Sequence, residues 1–150
     1  MAERHLAVQR HMSASTGSVW ALVADYPNLA DHWDGIRATR ALDEQVSGVG
    51  ARRHVALKPL GSMDETVTAW EEGRRIDTDN QPGLSVPFSH ARSTLRLEPD
   101  PEGDGTSVTF DYWYEPRGGP IGRVTGPVID KMLTATFTGM LASLEREAGA

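Results

Sequence analysis

The hydrophobic positions near the C-terminus repeat with the period of a helix. Between residues 120 and 147, large apolar side chains fall on one stripe when the segment is projected at about 100° per residue. This stripe consists of Ile129, Leu133, Phe137, Met140 and Leu144, and Gly122 and Gly126 continue it upstream. The pattern predicts a long amphipathic helix over 120–147, in which Pro127 is either the start or an internal kink. The glycine end should pack very close to a partner or leave a hollow.

The N-terminal region shows two other patterns. Apolar and polar residues alternate over 5–12, which predicts a half-exposed strand. Ser15 then has the character of an N-cap, and the apolar spacing after it predicts a helix that ends before Pro27. Residues 28–32 are predicted to form a second short helix. The chain therefore begins as strand, helix, helix.

From residue 36 to 115 the sequence alternates in runs of strand length, separated by turn signals. We predict six strands, at 36–42, 51–58, 62–70, 74–79, 88–98 and 107–115. The turn signals include Lys58-Pro59-Leu60-Gly61 and the strong hairpin dipeptide Asp104-Gly105. Consecutive strands with short turns form an antiparallel meander, whose apolar face must be covered. The helix over 120–147 is the one predicted element long enough to cover it.

Length, charge and cysteine content narrow the class of protein. The 150 residues fit one domain, 1–150, able to bury roughly 70% of its unfolded surface without cross-links. The absence of cysteine and of an apolar leader or membrane span indicates a cytoplasmic protein without stable membrane insertion. The net charge of −6 argues against nucleic-acid binding. We expect a monomer or a homodimer whose partner is a small molecule or a protein.

The order of these elements resembles the SRPBCC superfamily, which includes START-type lipid carriers, polyketide cyclases/dehydrases and plant hormone receptors. Segments 19–33, 48–55, 65–76 and 105–110 carry the resemblance, together with the amphipathic tail. It implies an α+β helix-grip fold: a curved antiparallel seven-stranded sheet around a long C-terminal helix, with two short helices after the first strand. It also implies a hydrophobic cavity with a gated mouth. It does not imply one activity, because fold does not fix function.

A carboxylate and a guanidinium are predicted on the inner face of the sheet. Period two places Glu65 on the same face as Val67, and Arg53 on the same face as Val55 and Leu57. The resemblance places Glu65 in the cavity lining, where it could anchor a ligand or transfer a proton. Arg53 could bind an acidic or carbonyl group of a ligand, or pair with Glu65. The structural alternative for both is a salt bridge.

Aromatic residues supply the remaining candidate polar contacts. The resemblance places His32 and Trp33 at the cavity entrance, where Trp33 could close over an apolar ligand and His32 could exchange a proton. An inert surface histidine and a core tryptophan are the alternatives. In the last strand, Phe110, Tyr112 and Tyr114 should point inward, and the two phenols could hydrogen-bond a ligand carbonyl or enolate. Their commoner role is packing.

The resemblance to the receptor branch also assigns a role to the helix. It makes Ile129, Leu133 and Phe137 one wall of the pocket and leaves Met140 and Leu144 at its sealed end. The end that carries Gly122 and Gly126 would then border the mouth.

Several well-known site types do not fit the sequence. The five histidines show no paired metal-ligand spacing, and the chain has no cysteine, so we predict no metal site. There is no P-loop and no Gly-x-Ser-x-Gly elbow. Residues 48–53 lack the third glycine of a dinucleotide loop and lead into a strand. We therefore predict no cofactor.

Three functions remain open. The first is binding of a hydrophobic small molecule such as a lipid, a polyketide or an aromatic compound. The second is a cofactor-independent polyketide cyclase/dehydrase, in which Glu65, His32, Arg53 and Tyr112 are the candidate catalytic residues. The third is a protein-interaction module, whose sign would be an exposed Trp70 or Trp113.

Overall fold

One antiparallel sheet of seven strands wraps a long C-terminal helix. The computed structural model describes residues 3–33, 35–58 and 61–149. Its elements are β1 (Arg4–Met12), α1 (Thr16–Val23), a 3-10 helix (Tyr26–Asp31), β2 (Ile36–Ala41), β3 (Arg52–Leu57), β4 (Gly61–Glu71), β5 (Arg75–Pro82), β6 (Phe88–Pro99), β7 (Thr106–Pro116) and α2 (Pro120–Ala148). The predicted helix-grip fold is confirmed.

The strands lie in the order β1-β7-β6-β5-β4-β3-β2, and every neighbouring pair is antiparallel. Strands β2 to β7 follow one another as a meander, whereas β1 pairs with β7 at the opposite edge from β2. The chain crosses between these edges through α1 and the 3-10 helix. The turn predicted between β3 and β4 includes Pro59 and Leu60, which lie outside the described residues.

The two short helices begin at different kinds of signal. The Ser15 side chain accepts a hydrogen bond from the Ser18 amide at 3.2 Å, as predicted for the N-cap of α1. The second helix begins at Tyr26 instead of residue 28 and is of the 3-10 type. Pro27 lies in its first turn, where a missing amide hydrogen breaks no helical hydrogen bond. Tyr26 is therefore the first residue of this helix, and Pro27 is the second.

A β-bulge in β4 changes which side chains reach the inner face. Val67 pairs with Thr78, but Ala69, two residues later, pairs with Asp77, the immediate neighbour of Thr78. The extra residue reverses the alternation, so Trp70 lies opposite the buried Ile76. The inward alternation of Glu65 and Val67 therefore does not continue beyond residue 67.

Helix α2 runs without interruption through Pro127, so it begins at Pro120. Its buried stripe contains all seven residues predicted from the periodicity. A Cβ on Gly122 would lie 3.0 Å from Pro116 Cβ, and one on Gly126 would lie 2.8 Å from the Arg4 side chain. The glycine end of the stripe therefore packs directly against its neighbours and leaves no hollow there.

We expect Gly122→Ala to destabilise the protein, although alanine is the better helix former. Pro116 is a rigid ring and the Arg117 carbonyl, 3.3 Å from the added methyl group, is backbone, so neither neighbour yields easily. Gly139 on the same helix is the matched control, because a Cβ there meets nothing within 4 Å. Gly139→Ala should raise the free energy of unfolding by about 1 kcal/mol. Urea denaturation of both variants tests this, and an equal gain at Gly122 would contradict the close packing.

Candidate ligand-binding site

A cavity of about 60 Å³ lies between the inner face of the sheet, the C-terminal half of α2 and the 3-10 helix. Most of its lining is apolar: Val23, Leu29, Trp33, Val55, Leu57, Met63, Ile76, Leu95, Phe110, Phe137, Met140 and Leu144. Six residues add polar groups: Tyr26, Arg53, Glu65, Thr78, Ser93 and Tyr112. The cavity is thus an apolar chamber with a polar area on the sheet.

The cavity brings together many of the residues predicted for the site. These are Trp33, Arg53, Val55, Leu57, Glu65, Phe110, Tyr112 and Phe137. Three other predicted residues, Val67, Ile129 and Leu133, are buried in the core without lining the cavity. On α2 the lining consists of Phe137, Met140 and Leu144, because the glycine half of the helix lies too close to its neighbours to leave space. The structure therefore places the cavity at the end of the helix that was expected to be sealed.

Arg53 and Glu65 form an ion pair at the cavity wall, directly across β3 and β4 from each other. Glu65 Oε1 accepts a hydrogen bond from Arg53 Nε at 2.8 Å, and Arg53 Nη2 lies 2.7 Å from the same oxygen. The two side chains are 11% and 12% exposed, so the pair is nearly shielded from water. Each charge therefore depends on the other for its stabilisation.

Tyr26 connects the 3-10 helix to this pair. Arg53 Nη1 donates a hydrogen bond to the Tyr26 carbonyl at 2.9 Å, and the guanidinium carbon lies 3.8 Å from the centre of the Tyr26 ring. The Tyr26 hydroxyl is buried and has no hydrogen-bond partner among the described residues. Burial raises the pKa of this phenol above its ordinary value, so it keeps its proton. It is a free donor beside the cavity.

Tyr112 supplies a second buried phenol. Its hydroxyl donates only a weak hydrogen bond, to Met63 Sδ at 3.8 Å. Burial raises the pKa of Tyr112, and the negative charge of Glu65 acts in the same direction. The Asn80 side chain is close enough to favour the ionised phenol slightly, but its geometry does not make a hydrogen bond. Both polar atoms of Asn80 are buried and unpaired within the described residues.

The rest of the lining is well packed. The Thr78 and Ser93 hydroxyls lie 2.6 Å apart on paired strands and satisfy each other. The Phe137 ring, at the centre of an aromatic cluster, lies 4.7 Å from both Phe110 and Tyr112 and 6.3 Å from Trp33, between ring centres. Phe137 thus connects α2 to both the sheet and the chain after the 3-10 helix.

Tyr114 lies outside the cavity and binds α2 instead. Its hydroxyl contacts the Gly126 carbonyl at 3.1 Å and the Asp130 carboxylate at 2.5 Å. Arg4 on β1 pairs with the same carboxylate. The two edge contacts fix the helix over β1 and β7, and they explain how α2 comes close enough to exclude a side chain at Gly126. The Tyr114 hydroxyl therefore has no bond left to offer a ligand in this arrangement.

We expect Asp130→Asn to lower stability by roughly 1 kcal/mol at pH 7, since the Arg4 pair is about one-third exposed. Arg4 holds the pKa of Asp130 below its ordinary value, and Tyr114 adds to this effect. A lowered pKa in the folded state gives stability that is present above the ordinary pKa of about 3.9 and is lost as pH falls through the folded value. Thermal unfolding between pH 2 and 7 should therefore show the wild type and the variant converging in acid. A constant difference at all pH values would contradict this.

His32 does not line the cavity. Its ring contacts the Asp25 carboxylate at 3.0 Å and is 18% exposed, and the residue lies at the C-cap of the 3-10 helix. Each of the five histidines pairs with an aspartate in this way: His5 with Asp111, His11 with Asp100, His32 with Asp25, His54 with Asp64 and His90 with Asp79. No group of three or more histidine or acidic side chains suited to a metal ion occurs in the described parts of the chain.

The two tryptophans that would mark an interaction surface both have intramolecular partners. Trp113 stacks on His5 and lies under the Arg92 guanidinium. Trp70 meets Trp20 edge to face, and the Glu72 carboxylate accepts both indole N–H groups, at 3.0 and 2.9 Å. These two hydrogen bonds hold the pKa of Glu72 below its ordinary value. Neither tryptophan presents the exposed apolar surface that the interaction hypothesis requires.

Sequence reasoning missed part of the lining, and some of it had a usable signal. Period two from Glu65 and Val67 also places Met63 inward. The inner residues of β5, in contrast, are Ile76, Thr78 and Asn80. Two of these three are polar, so the strand shows no apolar alternation. Tyr26 had no signal, because it lies at a helix start that the sequence pattern placed two residues later.

A curved seven-stranded antiparallel sheet that encloses a cavity against a long C-terminal helix defines a helix-grip protein. The sequence matches the family model described as "Polyketide cyclase / dehydrase and lipid transport" over residues 3–149. The chain therefore belongs to this family, and with it to the SRPBCC superfamily. No functionally curated protein matches the sequence.

Solved structures with the same fold come from several organisms. A START superfamily protein from Mycobacterium smegmatis has a TM-score of 0.79 at 17% identity, with 97% of each chain covered. An uncharacterized protein from Bacillus thuringiensis has a TM-score of 0.78 at 19% identity and covers 98% of this chain and 100% of its own. Truncated norcoclaurine synthase from Thalictrum flavum has a TM-score of 0.73 at 14% identity, with 97% and 92% covered. At these identities the likeness concerns the fold.

Proposed function

We propose that the protein binds a hydrophobic small molecule in the cavity between the sheet and α2. The observation that carries this proposal is the cavity itself, which is lined mainly by apolar side chains and bordered by a few polar groups. Ligand pockets in proteins have this composition, because the apolar lining supplies affinity and the polar groups fix orientation. The family description, which names lipid transport, supports the same function.

The size of the cavity adds a condition. A chamber of about 60 Å³ is smaller than the roughly 150 Å³ that holds a benzene ring. A ligand of drug size needs several hundred Å³. Binding of a larger ligand therefore requires the walls to separate. Apolar contacts between the ligand and the walls replace the contacts that the walls make with each other.

The geometry favours binding over the cyclase alternative. Cyclisation or dehydration needs a group that takes a proton and a group that returns one, both within reach of the substrate. The Glu65 carboxylate is paired with the Arg53 guanidinium. His32 pairs with Asp25 and is not among the lining residues, and the Tyr26 and Tyr112 phenols keep their protons. The lining thus offers a fixed ion pair and hydrogen-bond donors instead of an acid-base pair.

The proposal can be tested with the neutral fluorescent probe N-phenyl-1-naphthylamine. We expect saturable binding at a 1:1 ratio, together with a fluorescence increase. The variant Ser93→Phe places a ring into the chamber and should abolish binding. Ser107→Phe on β7 is the matched control, because Ser107 alternates with the buried Val108 and faces away from the chamber.

Far-UV circular dichroism must first show that both variants are folded. Equal binding by the wild type and by folded Ser93→Phe would place the probe on the surface and refute the proposal. Loss of binding in both variants would mean that reduced stability, and not a filled cavity, abolishes binding. The smaller substitution Ser93→Val then decides between a filled cavity and reduced stability.

A further inference from the structure

The polar groups of the cavity are unevenly satisfied. Arg53, Glu65, Thr78 and Ser93 have strong partners within the cavity wall. The Tyr26 hydroxyl has none among the described residues, and the Tyr112 hydroxyl has only the Met63 sulfur. A buried hydroxyl without a hydrogen bond costs about 1–3 kcal/mol in mutational experiments. Both phenols belong to residues that line the cavity, so a ligand can remove this cost.

The sheet register places the polar lining residues close together. Tyr112 on β7 pairs with Ser93 on β6, and Ser93 pairs with Thr78 on β5. One inward step along β5 lies Asn80, directly across from Glu65 on β4. Tyr26 faces this area from the 3-10 helix, since its ring lies against the guanidinium that pairs with Glu65. The two phenols therefore belong to one polar area instead of two separate ones.

The charge in this area is already balanced. Arg53 is the sole cation among the lining residues that the structure describes. Its charge is paired with Glu65, and its Nη1 donates to the Tyr26 carbonyl. A carboxylate ligand would enter beside the Glu65 carboxylate without a cation of its own. Burying an unpaired charge is far more costly than burying a neutral polar group. The area thus disfavours anions and suits a neutral acceptor.

We infer that the cavity selects neutral apolar ligands that carry a carbonyl or similar acceptor oxygen, which receives a hydrogen bond from Tyr26 and Tyr112. This inference rests on the proposed function and narrows it to one chemical class. Simple hydrocarbons lack the acceptor, and fatty-acid carboxylates carry the wrong charge. The Tyr26 hydroxyl is therefore a specificity group that does not stabilise the fold of the ligand-free protein.

Three small probes with the same aromatic ring test this selectivity: acetophenone carries the ketone, ethylbenzene lacks the oxygen, and benzoate is an anion at pH 7. Dissociation constants are measured by NMR titration for the wild type and for Tyr26→Phe. We expect Tyr26→Phe to weaken acetophenone binding about five- to tenfold relative to ethylbenzene, as expected for one hydrogen bond. Benzoate should bind the wild type more weakly than acetophenone.

Tyr114→Phe is the matched control, because Tyr114 is also buried but its hydroxyl already bonds to Gly126 and Asp130 outside the cavity. It should lower the free energy of unfolding and leave the ratio of the two dissociation constants unchanged. Tyr26→Phe should change this ratio without lowering the free energy of unfolding, since the Tyr26 hydroxyl has no hydrogen-bond partner to lose. A ratio that does not change in Tyr26→Phe, or tighter binding of benzoate, overturns the inference while the proposed function stands. If no probe binds and N-phenyl-1-naphthylamine also fails to bind, both are wrong.

Discussion

Leu144→Ala is expected to lower the free energy of unfolding by about 3–5 kcal/mol and at the same time to strengthen the binding of N-phenyl-1-naphthylamine. Leu144 is fully buried on α2 and lines the cavity. Truncation removes its packing and leaves a void, which accounts for the loss of stability. That void adds to a chamber too small for the probe, so the walls need to separate less when it binds. Stability and affinity should thus change in opposite directions.

Leu133→Ala provides the comparison for this prediction. Leu133 is equally buried on the same helix but does not line the cavity. We expect a similar loss of stability, about 3–5 kcal/mol, with no change in probe affinity. Urea denaturation followed by circular dichroism gives the first quantity, and a fluorescence titration at low urea gives the second. If both variants change probe affinity equally, the cavity extends to Leu133, which the resemblance makes part of the pocket wall.

The different roles of these two leucines show what the hydrophobic stripe of α2 could and could not predict. Its periodicity predicted the helix and seven residues of its buried face, and it missed Leu141 and Ser143. It could not predict which half of that face borders open space, because Gly122 and Gly126 are compatible with either close packing or a hollow. Pro116, Arg117 and Arg4 decide the matter by occupying the space in front of the glycines. Arg4 lies near the other end of the sequence, and Pro116 and Arg117 precede the helix, so the periodicity within α2 encodes none of these contacts.

The sheet shows the same division between local and long-range information. Alternation correctly predicted seven strands and the inward positions of Arg53 and Glu65, because period two needs only the neighbouring residues. It failed where the chain departs from that period. The bulge after Val67 turned Trp70 to the inner face, and the polar inner residues of β5 concealed that strand's orientation. These polar residues belong to the area where a ligand is proposed to bind, and departures from the rule that predicts a core are expected at functional sites.

Glu65→Ala is expected to lower the free energy of unfolding by about 3 kcal/mol, since it removes one partner of a nearly buried ion pair and leaves the Arg53 guanidinium without its anion. The loss should extend to the 3-10 helix. Arg53 also holds the Tyr26 carbonyl and stacks on its ring, and an unpaired guanidinium will turn toward water. Hydrogen exchange of residues 26–31 should therefore accelerate more than that of β6 and β7. Uniform acceleration would mean that Arg53 does not link the pair to this helix.

The double variant Arg53→Met with Glu65→Leu separates the cost of an unpaired charge from the value of the pair. Replacing both partners with apolar side chains of similar size leaves no buried charge, so we expect the double variant to be more stable than Glu65→Ala and close to the wild type. A double-mutant cycle that includes Arg53→Met and Glu65→Leu gives the coupling energy directly.

If the double variant is as unstable as the single ones, the pair is needed for folding. If it is stable and keeps the wild-type ratio of the acetophenone and ethylbenzene dissociation constants, then this selectivity depends on the phenols and not on the ion pair. The double variant should bind benzoate no more tightly than the wild type does, because it removes the neighbouring carboxylate and the cation of the cavity together.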